Sequence, residues 1–381
     1  ATRAGGLLTA VLLTAGLLAS VLFACGLLAS GPVDARASAQ PQAVRTAAVA
    51  GLPPAPGADP PSRRTATARI RRIDMAVARL DGVVVQLAWP VGAEHGVLRL
   101  QAAQVQAPSL GYAFRNLDWQ CPLRRDAQGG WQCDGPLRAA GGAPMRLAVD
   151  ISTAVTRAEL RQGGATLQLE RNAAAPDDTR FDLRKVPLAW THALLAQAWP
   201  AARLTAGTLD GSVVVSAPAR RPLQIGADLA LADAGLEASD GSVAVGDLGG
   251  SVQVDLRMPG DSLLVAVSGD LRGGELLVGN AYVALPPTPV AFAPHARQSG
   301  KEGWQVPRLH WHDGDALGVD GSAALDADAG LQALSVSVRS DALAAVGERY
   351  LSGWLGLARL TGLDLGGVLG AGAHLAALGL Q

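Results

Sequence analysis

Hydrophobic and polar positions alternate with a period of two over much of this chain. Val252-Gln253-Val254-Asp255-Leu256-Arg257 and Ala165-Thr166-Leu167-Gln168-Leu169-Glu170 each put apolar side chains on one face and polar ones on the other, which predicts half-buried strands. Val83–Val85, Val213–Val215 and Leu263–Val267 are apolar at successive positions and predict strands that are apolar on both faces. Between Leu98-Arg99-Leu100 and Ala103-Gln104-Val105 the phase slips by one residue, which predicts a bulge near Ala102. Two helical segments interrupt the strands. One runs from Leu188 to Trp199, between Pro187 and Pro200; the other has Asp341 as its cap, with Leu343, Val346, Tyr350, Trp354 and Leu357 in one stripe.

The strand pattern repeats on a larger scale. Ala202-Arg203-Leu204-Thr205 returns as Ala358-Arg359-Leu360-Thr361, each copy after a Trp-bearing apolar stretch and before a Leu, a Gly and a Val-bearing run. Asp210-Gly211-Ser212, Asp240-Gly241-Ser242, Gly249-Gly250-Ser251 and Asp320-Gly321-Ser322 read as tight turns that open strands, because Asp-Gly tolerates a positive φ. Their irregular spacing excludes a short strict-period solenoid and favours a duplicated module of about 150 residues, a helix followed by a strand meander. The abundance of Ala, Gly, Leu and Val leaves coincidence as the competing explanation. Expected divisions are an anchor or signal segment (1–31), a linker (32–62), a first β module (63–186), a helix plus meander (187–340) and the start of a truncated second module (341–381). That abrupt end suggests a fragment of a longer protein.

Composition narrows the class. Charged residues make up 17% of the 381 positions and aromatics 4%, so the apolar load is carried by Ala, Val and Leu, which suits thin sheets better than a bulky core. The formal net charge of −1 gives no pull toward nucleic acid. Lys185 and Lys301 are the sole lysines beside the arginines, a skew that fits a high-GC bacterial genome.

Leu7–Ala29 has no charged residue and is long enough to cross a bilayer as a helix, with Arg3 before it and Gly31-Pro32 after it. An uncleaved anchor is the favoured reading. Ala35-Arg36-Ala37 keeps a cleavable signal peptide open, and Cys25 keeps lipidation open. Anchor and signal peptide alike put the bulk of the chain outside the cytoplasm. Ser38–Ser62 is Pro- and Ala-rich and reads as an extended linker. The arginines 63, 64, 69, 71 and 72 beyond it read as the solvated start of a strand, with contact to anionic headgroups as the alternative.

Cys121 and Cys133 flank the turn residues Asp126–Gly130. A hairpin folded about Ala127 would set them directly opposite each other at disulfide range, with Trp119 and Trp131 on the same face. Such a bridge needs an oxidising compartment; zinc is the alternative, without a nearby His pair. The chain has no Gly-x-Ser-x-Gly elbow, no phosphate-binding Gly-Lys-Ser/Thr loop and no His-Glu-x-x-His. His310 and His312 of His310-Trp311-His312-Asp313-Gly314-Asp315 share a strand face; a metal site and a polar strand end with Trp311 turned inward both fit, the latter better. Glu275 is a lone acid without a visible partner. No catalytic residue, metal or cofactor is expected.

The Leu-x-Gly-Ser/Gly-Val strand starts, the Trp-bearing helices, the apolar N-terminus and Gly269-Asp270-Leu271-Arg272-Gly273-Gly274-Glu275-Leu276 followed by Tyr282 resemble the AsmA-like superfamily, in particular its TamB and YdbH type. The resemblance spans most of Ile70–Gln381. It implies a mainly β protein: an elongated, curled antiparallel sheet forming an apolar groove, with a few short helices and an N-terminal transmembrane helix. It also implies single-pass anchorage in a bacterial inner membrane, and conduction of phospholipid acyl chains through the periplasm toward the outer membrane, where a partner protein would receive them. Val213, Val215, Leu263, Val265 and Val267 are the expected groove lining. At about 4.8 Å per strand the chain is short for such a bridge. Two other classes stay open, a structural component of a secretion machine similar to protein N of type II secretion, and an envelope hydrolase or adhesin.

Overall fold

The computed structural model describes residues 63–75, 78–279, 281–299, 303–327, 331–352 and 369–376. The apolar stretch 7–29, the linker and the second Ala-Arg-Leu-Thr copy lie outside the described residues. The protein is mainly β, with every strand pair antiparallel, and it forms two compact units. Among the described residues, one is built from 63–163 with Glu170–Ala174, the other from Gly164–Leu169 with the residues from Ala175 onward.

In the first unit β1 (Arg63–Asp74), β2 (Arg79–Pro90), β3 (His95–Ala107), β4 (Tyr112–Arg125), β5 (Trp131–Arg138), β6 (Met145–Ile151) and β7 (Val155–Gln162) form a meander, each strand pairing with the next. Strand β8 (Ala165–Asn172) is divided between the units. The expected bulge at Ala102 is absent: β3 keeps one register with β2 and with β4 through Val83, Ala102 and Leu117. The change of phase has a different cause. Ala103 lies between Gly82 and Asn116, whose φ values are 62° and 51°, so a left-handed residue on each side twists the sheet there without inserting a residue.

Cys121 and Cys133 are disulfide-bonded with their Cα atoms 5.4 Å apart. The hairpin folds one residue later than expected. Leu123 faces Cys133 and Trp119 faces Leu137, so the cysteines sit diagonally. Between those two pairs the register is interrupted around Pro122 and Pro136, which have no N–H to give to a ladder. Trp119 is buried with the cysteines, among Leu98, Leu100, Leu123, Leu137, Leu147 and Val149, and its indole N–H donates to the carbonyl of Leu147 at 3.1 Å.

The second unit begins with β9 (Asp178–Pro187), then a helical segment, and the long strands β10 (Ala202–Ser216), β11 (Leu223–Ala238) and β12 (Val243–Met258), followed by β13 (Ser262–Arg272). The ribbon β14 (Glu275–Val278) and β15 (Ala281–Ala284) follows, then β16 (Val290–Phe292), β17 (His295–Ser299), β18 (Trp304–Asp313), β19 (Leu317–Leu325), β20 (Leu331–Ser340) and β21 (Leu369–Ala376). Strand β9 pairs with β10 rather than closing the first unit, so the division falls about a strand earlier than the sequence pattern placed it. The first helical segment matches expectation: a 3-10 turn, Leu188–Thr191, runs into helix α1 (His192–Ala198), and Pro200 ends it. The second is differently capped, and Trp354 and Leu357 of its expected stripe lie outside the described residues. Helix α2 (Leu343–Val346) passes into a π-helical turn, Gly347–Leu351; its N-cap is Ala342, whose N–H is taken by the Ser340 hydroxyl, and Asp341 caps nothing.

Three of the four expected Gly turns lie inside strands. Asp240–Ser242 does turn, its carboxylate accepting the N–H and hydroxyl of Ser242. Gly211, Gly250 and Gly321 instead sit within β10, β12 and β19. They are there because the neighbouring strand comes too near for a side chain: a Cβ on Gly211 would lie 2.1 Å from the Asp228 carbonyl oxygen, and one on Gly250 would lie 2.2 Å from that of Asp270.

A crease crosses this unit. Lys185, Asp233 and Asp247 have φ near +50° (48°, 52° and 52°), with Gly207 and the pair Gly273-Gly274 also positive. They fall at register shifts of β9–β10, β10–β11 and β11–β12, and at the point where β12 changes partner from β13 to β14. Such aligned bulges bend the strands together.

Candidate functional site

The crease separates two apolar clusters. On one side Leu195 of α1 packs with Ala202, Leu236, Ala238, Val243 and Val278. The larger cluster on the other side is built from rows that run across strands. Val215 faces Ile225, which faces Leu256, then Val265, then Ala296. One row further, Phe181, Val213, Ala227, Val254 and Val267 line up in the same way. The cause is the period-two pattern in each strand: Val252, Val254 and Leu256 are buried while Gln253, Asp255 and Arg257 are exposed.

The five expected lining residues therefore come together on one apolar face. Val213, Val215, Val265 and Val267 are buried in the large cluster and Leu263 packs partly buried against it. Their neighbours Val214 and Leu264 point to the outer face and are about 40% exposed (39% and 41%), so those strands have one covered face, not two.

The face continues into β18–β20, where Val306, Ala323 and Leu334 stand in register. Here it opens into a cavity of about 280 Å³ lined by these three with Pro307 and Ala324, and by Gln305, Ser322 and Ser335. Ala and Ser leave the space: larger residues at 322–324 would fill it.

The far end of the face is held by a polar cluster that the sequence pattern did not reveal. Asp313 ends β18 almost fully buried (2%) and accepts Arg349 Nη1 at 2.7 Å and the Tyr350 hydroxyl at 2.9 Å. The indole N–H of Trp311 donates to that hydroxyl at 3.0 Å. Burial first, and the Asp313 carboxylate after it, hold the Tyr350 phenol well above its ordinary value, so it stays a donor. The π-helical turn that carries Arg349 and Tyr350 is thereby pinned to the sheet. The His310–Asp315 string is the polar strand end, with Trp311 packed inward. His310 and His312 do share a face, their rings 6.2 Å apart, and His310 Nδ1 lies 2.8 Å from Asp320. Among the described residues no three His, Cys, Asp or Glu side chains gather as a metal site. Glu275, expected to stand alone, is hydrogen-bonded by Tyr282, whose phenol is raised chiefly by that bond.

The chain matches no protein-family model, no curated protein and no solved structure at a significant level.

Proposed function

We propose that the protein is an AsmA-like, membrane-anchored β-groove protein of the bacterial envelope. It holds phospholipid acyl chains on the apolar face of its second unit and passes them between the inner and outer membranes. The cavity over Val306, Ala323 and Leu334 carries this reading, because there the covered strip of β9–β20 has room for a ligand. Its volume is just under the roughly 300 Å³ at which ordinary ligand clefts begin, so it takes a segment of chain rather than a whole lipid. An apolar strip needs no catalytic group for this work, only a dry surface that outcompetes water for methylenes, each worth about 0.8 kcal/mol. The anchor, the periplasmic site and a partner at the outer membrane belong to the same reading.

The test is phospholipid that co-purifies with the full chain, measured by mass spectrometry, with Ala323→Phe as the blocked form. Bound lipid in the wild type and its loss from a folded Ala323→Phe protein are expected. A wild-type protein that is lipid-free and takes up no fluorescent lipid would remove the proposal.

A further inference from the structure

One end of the first unit gathers exposed indole, aliphatic and guanidinium groups on a single rim. Arg64 pairs with Trp89, and Trp131 pairs with Arg125 on one side and Ile151 on the other, so the ends of β1, β2, β4, β5 and β6 meet there. The period of two puts Trp131 on the face of Cys133, and Ile151 on that of Val149, so the apolar interior of this unit runs out to solvent. Trp131 is 39% exposed, Ile151 47% and Val91 53%. The two indoles meet edge to face with centroids 6.2 Å apart, and the Arg125 guanidinium lies 5.6 Å above the Trp131 ring.

The charge at this rim leans positive. Arg63, Arg64, Arg124 and Arg125 are exposed, and among the described residues none of them forms an ion pair. Asp126, which accepts the N–H groups of Gln128 and Gly130 at 2.9 and 2.7 Å and keeps its charge, and Glu94 are the carboxylates beside them; Asp150, one row in, lies toward Arg157. Of the other arginines of β1 and β2, Arg72 pairs with Asp81 and Arg79 with Asp74, each at 2.8 Å, while Arg69 and Arg71 are exposed further along β1.

We propose that this rim docks on the surface of an anionic phospholipid bilayer. Indole rings with one apolar body and one N–H settle at the headgroup level, exposed Val and Ile enter the acyl boundary beneath it, and arginines keep their guanidinium groups among the phosphates. The unmatched cations fit a surface of negative charge, and the apolar side chains fit what lies under it. The assignment rests on the rim alone and holds whether or not the second unit carries acyl chains.

To test it, the full chain is mixed with phosphatidylcholine vesicles that contain brominated phosphatidylglycerol, and tryptophan emission is followed. The expected result is quenching that disappears in the Trp89→Phe, Trp131→Phe double variant and in vesicles lacking anionic lipid. Arg64→Ser and Arg125→Ser should each weaken vesicle affinity about fivefold. Far-ultraviolet circular dichroism of the strands confirms that each variant is folded. Quenching that is equal in the wild type and the double variant, or indifferent to the arginines, overturns the assignment. So does an absence of quenching in a protein whose Trp131 is hidden by self-association or by a protein partner.

Discussion

The two units solve the same problem with different means. Both are antiparallel meanders with one apolar face, yet the first packs a small cluster around Trp119, Cys121 and Cys133, with Val83, Ala102 and Leu110 buried besides, while the second packs a cluster running from Phe181 to Phe292. Where the covered strip is narrow, a covalent bridge and a tryptophan add to what buried area supplies. Where strands reach 15 or 16 residues, as in β10, β11 and β12, rows of Val, Leu and Ile are sufficient.

Three perturbations test that contrast. The largest effect is expected from Leu229→Ala, a side chain 1% exposed in the second unit: about 2–5 kcal/mol lost, read as a lower urea midpoint for that unit with the first unchanged. Replacing both Cys121 and Cys133 by Ser opens a bridge of sequence separation 12 and should cost the first unit about 3 kcal/mol, read as earlier loss of Trp119 fluorescence and no change in the second unit. If one substitution lowers both transitions together, the units are not independent in stability. The smallest effect concerns Tyr350. Its phenol pKa is raised in the fold, so its contribution is fully present below about pH 10, the ordinary value, and declines above it, by at most about 1.4 kcal/mol per pH unit. Protection factors of residues 343–352, which are corrected for the base-catalysed intrinsic rate, should fall over that window, and Tyr350→Phe should remove that fall.

Much of this architecture was legible in the sequence, for identifiable reasons. Alternation in Val252–Arg257 named the buried face because the strand period is two whatever the partners are. Pro187 and Pro200 bracketed the first helical segment, since proline lacks the N–H a helix interior needs. The cysteine pair was right and its register wrong: turn residues located the hairpin, but the position of the loop within Asp126–Gly130 is fixed by the Asp126 side chain accepting two backbone N–H groups, a contact with no sequence signature. Asp-Gly-Ser misled for a related reason. A glycine that opens a turn and a glycine that lets the next strand approach look alike until the neighbour is known. The five residues expected to line a groove share one apolar face, but none of them lines the cavity, which depends on which residues stand opposite one another across β18–β20. Asp313 was hidden because Arg349 and Tyr350 lie 36 and 37 positions away.

The crease has a consequence for how the chain finds its pairing. A slip of one residue in β11 would carry the left-handed backbone from Asp233 onto an alanine, and a slip in β12 toward Leu248 would carry it from Asp247 onto a leucine; either would turn the covered rows outward at the same time. Each strand thus brings its own checkpoint, and a misaligned neighbour is penalised twice, by backbone and by burial. The crease acts as a proofreading mark for strand alignment, read afresh as each new strand is laid down.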